Sequence, residues 1–262
     1  MNAVDHHGVS SAFIVRGNGP PLLMIHGADA DHRMFAALTE GLAPYFTCIG
    51  YDQRDSGRTV CEAPSQYTVD DLADDAAAVI HAAGFERAHV YGTSFGGQIA
   101  QNLAVRHGRL VDRLVLGNTW RSGLRLADIN PEVAHTLDAL RADRAANAAQ
   151  IAAYFHPHEY LEKHIAVLEG FSTTARNAAQ QARRKTLMAQ VAAVELARIA
   201  APTLVIAGQF DALVPPAITL AMLEHIPGSF GTVLRDAGHV PCVHRPDALA
   251  RTIRRFLQAR FD

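Results

Sequence analysis

The feature that most constrains this chain is a rhythm. Short apolar runs rich in β-branched residues alternate with longer amphipathic stretches. Ser11 to Arg16, Leu22 to His26, Thr47 to Tyr51, His89 to Tyr91, Leu114 to Leu116 and Thr203 to Ala207 read as strands, and Thr232 to Arg235 is strand-like. Several are apolar throughout, as strands covered on both faces of a parallel sheet must be. Between them, Asp31 to Leu42, Thr68 to Ala83 and Gln98 to His107 read as helices. Thr68 serves as a cap before an acidic first turn, and Gly84 is a stop signal. Strand and helix in alternation give βαβ units with right-handed crossovers. The expected class is therefore α/β, with a mostly parallel eight-stranded sheet flanked by helices.

The rhythm breaks after Leu116. From Trp120 to Ile199 the chain is rich in Ala, Arg and Gln, offers no convincing strand, and reads as helices interrupted near Pro131 and Pro157. Strand character resumes at Pro202-Thr203-Leu204-Val205-Ile206. Both flanks are needed to complete one sheet, so 120–199 is expected to be a helical cap inserted into a core formed by 1–119 and 200–262.

Gly92-Thr93-Ser94-Phe95-Gly96-Gly97 carries the strongest chemical signal. It follows a strand and opens a helix predicted to begin near Gly97, the context of a G-x-S-x-G nucleophile elbow. Gly92 and Gly96 let strand and helix approach closely around a strained nucleophile. The helix start leaves the Phe95 N–H free to face a developing oxyanion. A serine hydroxyl needs a base, and Asp236-Ala237-Gly238-His239-Val240-Pro241 supplies a histidine on the loop after the last strand. The acid is expected at Asp211, in Gly208-Gln209-Phe210-Asp211, although an aspartate there also reads as a turn residue or a cap ahead of Pro215-Pro216. Asn118, at the end of the preceding strand, cannot carry the charge. His26-Gly27-Ala28 ends an early strand, and the Ala28 N–H is the natural second oxyanion donor. The catalytic set is thus Ser94, Asp211 and His239, with an oxyanion hole of Ala28 and Phe95. Trp120 and His26 are candidates for substrate contact; for both, core or backbone packing is the competing reading.

Taken in the order His-Gly, G-x-S-x-G, Asp, His, these parts resemble the α/β-hydrolase superfamily, from about Ser11 to Phe256. Tyr51-Asp52-Gln53-Arg54-Asp55-Ser56-Gly57-Arg58 is similar to that family's D-x-R-G-x-G-x-S turn, with Asp55 in place of the usual glycine and Thr59 in place of the usual serine. Leu116-Gly117-Asn118-Thr119, leading into a short helical region, looks most like the 3-oxoadipate enol-lactonase and small carboxylesterase branch. The resemblance implies a serine hydrolase that cleaves a small ester or lactone without a cofactor. A C–C hydrolase of a β-diketone or ring-cleavage product would use the same triad, cofactor-free perhydrolysis is another variation, and some proteins of this fold act as small-molecule receptors. Serine at the nucleophile position argues against chemistry that needs an aspartyl ester.

Composition narrows the partners. Lys and Arg number 24 against 26 Asp and Glu, a net charge of −2, so no electrostatic footprint for nucleic acid or anionic lipid is present. Arg183-Arg184-Lys185 reads as a solvated helix face. No apolar stretch approaches bilayer length. The start lacks a signal-peptide pattern, and Cys48, Cys61 and Cys242 read as free thiols. The expectation is a cytoplasmic protein acting on a small molecule, with a homodimer left open. The Gly92–Gly97 loop lacks the Lys of a phosphate-binding loop. His156, His158 and His164 lack a metal-site spacing, so no metal is expected and they are assigned to the cavity wall or to solvent.

Overall fold

The computed structural model describes residues 1–62 and 65–260. Its strands are β1 (Asn2–His6), β2 (Val9–Arg16), β3 (Pro21–Ile25), β4 (Thr47–Tyr51), β5 (Val60–Cys61), β6 (Ala88–Thr93), β7 (Val111–Gly117), β8 (Thr203–Gly208) and β9 (Phe230–Leu234). They form one sheet in the order β1-β2-β4-β3-β6-β7-β8-β9, with the two-residue β5 paired to β2. The main path has the eight strands expected, and β5 is an addition. Pairing is antiparallel from β1 through β2 to β4 and parallel from β4 to β9. The strand order reverses between β3 and β6. In open α/β sheets ligands bind at such a switch point, beyond the carboxyl ends of the strands.

β1 has no counterpart among the sequence-predicted strands. Asn-Ala-Val-Asp-His offers no apolar run, and it lies on the sheet edge with most of its side chains exposed. The helices sit closer to expectation. The predicted helix at Asp31 divides into a 3-10 turn at His32–Phe35 and α1 (Ala36–Leu42). α2 (Val69–Ala82) is opened by a capping box: the Asp71 N–H donates to Thr68 Oγ1 at 3.3 Å, and the Thr68 N–H donates to Asp71 Oδ2 at 2.8 Å. Such a cap is worth about 1 kcal/mol. α3 (Phe95–Arg106) starts earlier than predicted, directly after Ser94.

The 120–199 stretch folds as α4 (Leu126–Ile129), α5 (Pro131–Leu140), α6 (Arg144–Ala153), α7 (His158–Lys163), α8 (Glu169–Ser172) and α9 (Ala178–Ala189), with no strand among its residues. Pro131 opens α5 and Pro157 caps α7, so both prolines stand at helix starts, where a missing N–H costs nothing. The chain closes with α10 (Pro216–Leu220), α11 (Pro241–His244) and α12 (Pro246–Gln258). No helix among the described residues is long and apolar enough to cross a membrane.

One core packs α2 and α3 against the sheet through Leu72, Ile80, Ile99 and Leu103. A second packs α1 and α12 on the other face through Leu38, Leu42, Leu249 and Ile253. A third, smaller cluster of Trp120, Leu137, Ile151, Leu213 and Val214 joins the helical stretch to the loop after β8. That stretch therefore lies over the carboxyl edge of the parallel strands.

Candidate active site

β6 lies between β3 and β7, with Gly92 level with Ile25 and Leu116. The chain turns from it into α3 within one residue. Ser94 makes that turn at φ 54°, ψ −128°, a conformation that costs a non-glycine residue of order 1–3 kcal/mol. It is held there from both sides. The Ser94 N–H donates to the Gly117 carbonyl at 3.0 Å; its own carbonyl accepts from the Gly97 N–H at 2.9 Å and from Thr119 Oγ1 at 2.6 Å. A side chain at Gly92 would run into the Gly96 carbonyl, and one at Gly96 into the carbonyls of Ile25 and His26. Both glycines thus permit the close approach that the sequence pattern implied.

Ser94 Oγ is 2.9 Å from His239 Nε2, and His239 Nδ1 is 2.8 Å from Asp211 Oδ2. With Nδ1 donating to the carboxylate, Nε2 is left to accept the serine proton. Asp211 is buried and fully matched. Its Oδ1 accepts from the Leu213 and Val214 N–H groups at 3.0 and 2.8 Å, and its Oδ2 accepts from Asn118 Nδ2 at 2.8 Å. Asn118 also donates to the Gly238 carbonyl at 3.1 Å, which ties the acid to the histidine loop. Excluded as an acid in the sequence, Asn118 is the side chain that orients one. The His239 loop is also suspended from the helical stretch, because its N–H and that of Val240 donate to the Phe155 carbonyl at 3.1 and 3.3 Å.

As the first residue of α3, Phe95 has an N–H with no intrahelical acceptor. Gly27 stands beside Ser94, since a Cβ built there would lie 3.5 Å from Ser94 Cβ. Ala28 follows it. The loop is braced from behind: Gln53 Nε2 donates to the His26 carbonyl at 2.6 Å, and the Gln53 N–H donates to His26 Nε2 at 3.1 Å. His26 Nδ1 is 2.8 Å from the Gly27 carbonyl. Fully buried, with both ring nitrogens committed to the backbone, His26 holds this loop, as the backbone-packing alternative has it. Burial pushes its pKa down to about 3, so the ring is neutral. Trp120 likewise takes the core-packing alternative. It is buried in the third cluster, and its Nε1 donates to the Leu124 carbonyl at 2.7 Å.

Asp55 adopts φ 57°, the left-handed conformation for which glycine is the usual occupant and which aspartate tolerates better than most residues. Thr59 Oγ1 donates to the Asp52 carbonyl at 2.5 Å and accepts from the Ala12 N–H at 3.0 Å, work that a serine hydroxyl would also do. Both departures from the family pattern are thus accommodated in the turn.

Arg183-Arg184-Lys185 departs further from the sequence reading. The first two residues are not on a solvated face. Arg183 pairs with Asp55 at 2.6 Å, while Arg184 is 5% exposed. The signal was legible in the helix period: Arg184 and the buried Leu187 are i,i+3 neighbours, so Arg184 lies on the inner stripe of α9. Arg176 reaches the same region. Its Nη2 donates to the Ala28 carbonyl and to Ser56 Oγ, both at 2.7 Å, and its Nε donates to the Asp55 carbonyl at 2.7 Å.

The insertion histidines separate. His158 is exposed and 3.1 Å from Glu162. His164 stacks on Tyr160. His156 is buried against Tyr160 and His244, and burial lowers its pKa to about 4. Asp31, His32 and Asp52 bring three ligand-type atoms within 4.8 Å of one another. These are already occupied by the protein's own donors: Asp52 accepts from the His32 N–H, His32 Nδ1 and the Arg58 N–H, and Asp31 from Arg33. A groove of about 620 Å³ lined by His6, His7, His81 and His107 lies at the C-terminal end of α3, away from Ser94, and offers no nucleophile.

Comparison with known proteins places these features in context. Residues 22–252 match the model of the alpha/beta hydrolase family. A curated relative from Agrobacterium fabrum (strain C58), provisionally named carbamate hydrolase RutD, is 28% identical over 250 residues, covering 91% of this chain and 93% of the relative. The enol-lactonase from Burkholderia xenovorans LB400 superposes with a TM-score of 0.82 at 26% identity, covering 98% of this chain and all (100%) of the other. A thermophilic esterase from Thermogutta terrifontis superposes with a TM-score of 0.80 at 28% identity, covering 95% and 93%.

Proposed function

The chain belongs to the alpha/beta hydrolase family, and from that premise we propose that it hydrolyses a small ester or lactone by acyl transfer to Ser94. The observation that carries this reading is the unbroken relay from Ser94 Oγ through His239 to Asp211, at 2.9 and 2.8 Å. Ser94 Oγ attacks the substrate carbonyl carbon as His239 Nε2 takes its proton. Asp211 holds the ring in the required tautomer and stabilises the imidazolium. The N–H groups of Ala28 and Phe95 donate to the oxyanion, each worth roughly 3–4 kcal/mol at the transition state. As the tetrahedral adduct collapses, the alkoxide leaves with the proton from His239. Water then gives a proton to the same nitrogen and attacks the acyl–enzyme, and Ser94 regains its proton as the acid departs.

Similarity to an esterase and to an enol-lactonase over nearly the whole chain supports the ester or lactone class. Similarity to the RutD relative favours a second reading, a carbamate, whose carbonyl the same serine would attack. Active-site labelling with a fluorophosphonate tests the nucleophile, and the expected adduct is on Ser94. A folded sample that takes up no label at Ser94 overturns the assignment. A panel of p-nitrophenyl esters, lactones and alkyl carbamates then ranks the substrate classes by kcat/KM.

A further inference from the structure

Arg184 is a buried cation that makes no salt bridge to a carboxylate among the described residues, and it is seated against both residues assigned to the oxyanion. Its Cζ lies 4.8 Å from the centre of the Phe95 ring. Its Nη2 donates to Gln53 Oε1 at 2.7 Å and to the Ala28 carbonyl at 3.3 Å, both neutral acceptors. Its Nε and Nη1 are buried and have no acceptor among the described residues.

Among the described residues, each nearby carboxylate is hydrogen-bonded or ion-paired to another group. Asp29 is held by Arg141 at 2.9 Å and Arg176 at 3.2 Å, with Arg144 at 3.7 Å. Asp55 pairs with Arg183 and Asp75 with Arg54, while Asp52 accepts from His32 and the Arg58 N–H. The Tyr67 hydroxyl lies beside Arg184, but burial pushes its pKa up, so it supplies no negative charge. Asp29 is thus the one carboxylate facing four guanidinium groups, those of Arg141, Arg144, Arg176 and Arg184. Desolvation pushes its carboxyl up, and the four cations outweigh that and hold it below the usual range. Burial, then the charge of Arg184, pushes the Arg176 guanidinium down.

A guanidinium cannot shed its proton to escape such a site. A buried cation lacking a partner is strongly unfavourable until an anion completes the pair. We propose that Arg184 is a specificity-determining residue that receives a carboxylate carried on the acyl part of the substrate. The contact with Phe95 and Ala28 places that carboxylate a few carbon atoms from the carbonyl under attack. The chemical class is then a half-ester of a short dicarboxylic acid. This inference rests on Ser94 being the nucleophile.

The test compares monoethyl succinate with its neutral isostere, ethyl succinamate, on the full chain. The wild type should prefer the acid in kcat/KM by about tenfold or more, the usual worth of a charge-assisted hydrogen bond. Arg184→Gln should lower that ratio by about tenfold, and Arg184→Lys should restore part of it. A wild-type ratio near one overturns the proposal. So does an Arg184→Gln variant in which both rates fall together and the ratio stands, which is the signature of a purely structural arginine. Should Arg184→Gln fail to fold, competitive inhibition of the wild type by succinate against succinamide decides, with equal inhibition constants as the overturning result. Fluorophosphonate labelling separates the two levels. A labelled Ser94 with no charge preference sinks the carboxylate site alone, and an unlabelled Ser94 sinks the reading beneath it.

Discussion

Asp211 and Arg184 are both charged and both buried, one at the end of the serine–histidine relay and the other against Phe95 and Ala28. They are solvated in opposite ways. Four donors, two from the backbone and two from side chains, surround the aspartate and leave neither oxygen unmatched. The arginine has two neutral acceptors on one nitrogen and none on the other two. A charge serving every turnover can be satisfied by the protein itself, because its partner never leaves. A charge serving recognition must be left short of partners, because its partner arrives with the substrate. On the proposed reading, the two sites divide the labour between chemistry and choice of substrate.

That division can be broken at several points. Ser94→Ala removes the atom on which the whole relay acts, and turnover should fall by roughly four to six orders of magnitude in single-turnover and steady-state assays. A loss of tenfold or less would place the chemistry elsewhere. Asp211→Asn keeps the shape of the acid side but inverts its hydrogen bonding to His239. It should cost about 10⁴ in kcat; a variant retaining a tenth of its activity would show that the carboxylate is not the orienting group. Asn118→Ala strips Asp211 Oδ2 of one donor and frees the Gly238 carbonyl. An unpaired buried group of this kind costs about 1–3 kcal/mol, or roughly ten- to a hundredfold. The loss should fall on kcat and leave KM nearly untouched, and an effect on KM alone would assign Asn118 to substrate binding.

A separate effect concerns stability. His26, His244 and His156 are buried neutral, with pKa values lowered by burial to about 3, 3 and 4. Their unfolded counterparts take up a proton near pH 6.5. Below that pH the unfolded state binds more protons than the folded one, so stability falls with acidification from about 6.5 to about 4. Each ring contributes roughly 1 kcal/mol per pH unit across that window and nothing above it. Urea midpoints measured from pH 7.5 to 4.5 should drop accordingly, and a constant midpoint at constant slope would mean that the rings titrate normally.

How much of this could be read in advance depended on what wrote the pattern. β3, β4, β6, β7 and β8 are covered on both faces, so burial alone selected their residues and made them conspicuous. β1 is an exposed edge strand held by backbone pairing to β2, which leaves no mark on side-chain polarity. The elbow was visible because steric limits at Gly92 and Gly96 admit little else, yet the start of α3 was misplaced, since glycine-rich sequence hides a helix that begins at the nucleophile itself. Asn118 and Phe155 escaped for different reasons. The one acts through an amide that resembles any other, and the other through a backbone carbonyl that any residue could supply. Charge alone assigns Arg184 to the surface, and only its register with Leu187 on α9 says otherwise.

The Phe155 carbonyl has a consequence for anyone rebuilding this molecule. It carries no side-chain chemistry, yet the loop bearing the histidine hangs from it. Grafting a relative's 120–199 stretch onto this sheet to change what the protein accepts would also remove a hanger from the base. A working chimera must bring back a main-chain oxygen at the same point in space. The cheapest design therefore cuts the graft after His156 and leaves Phe155 with the host. Diversity can then be introduced from α7 to α9, while the histidine loop keeps its original suspension.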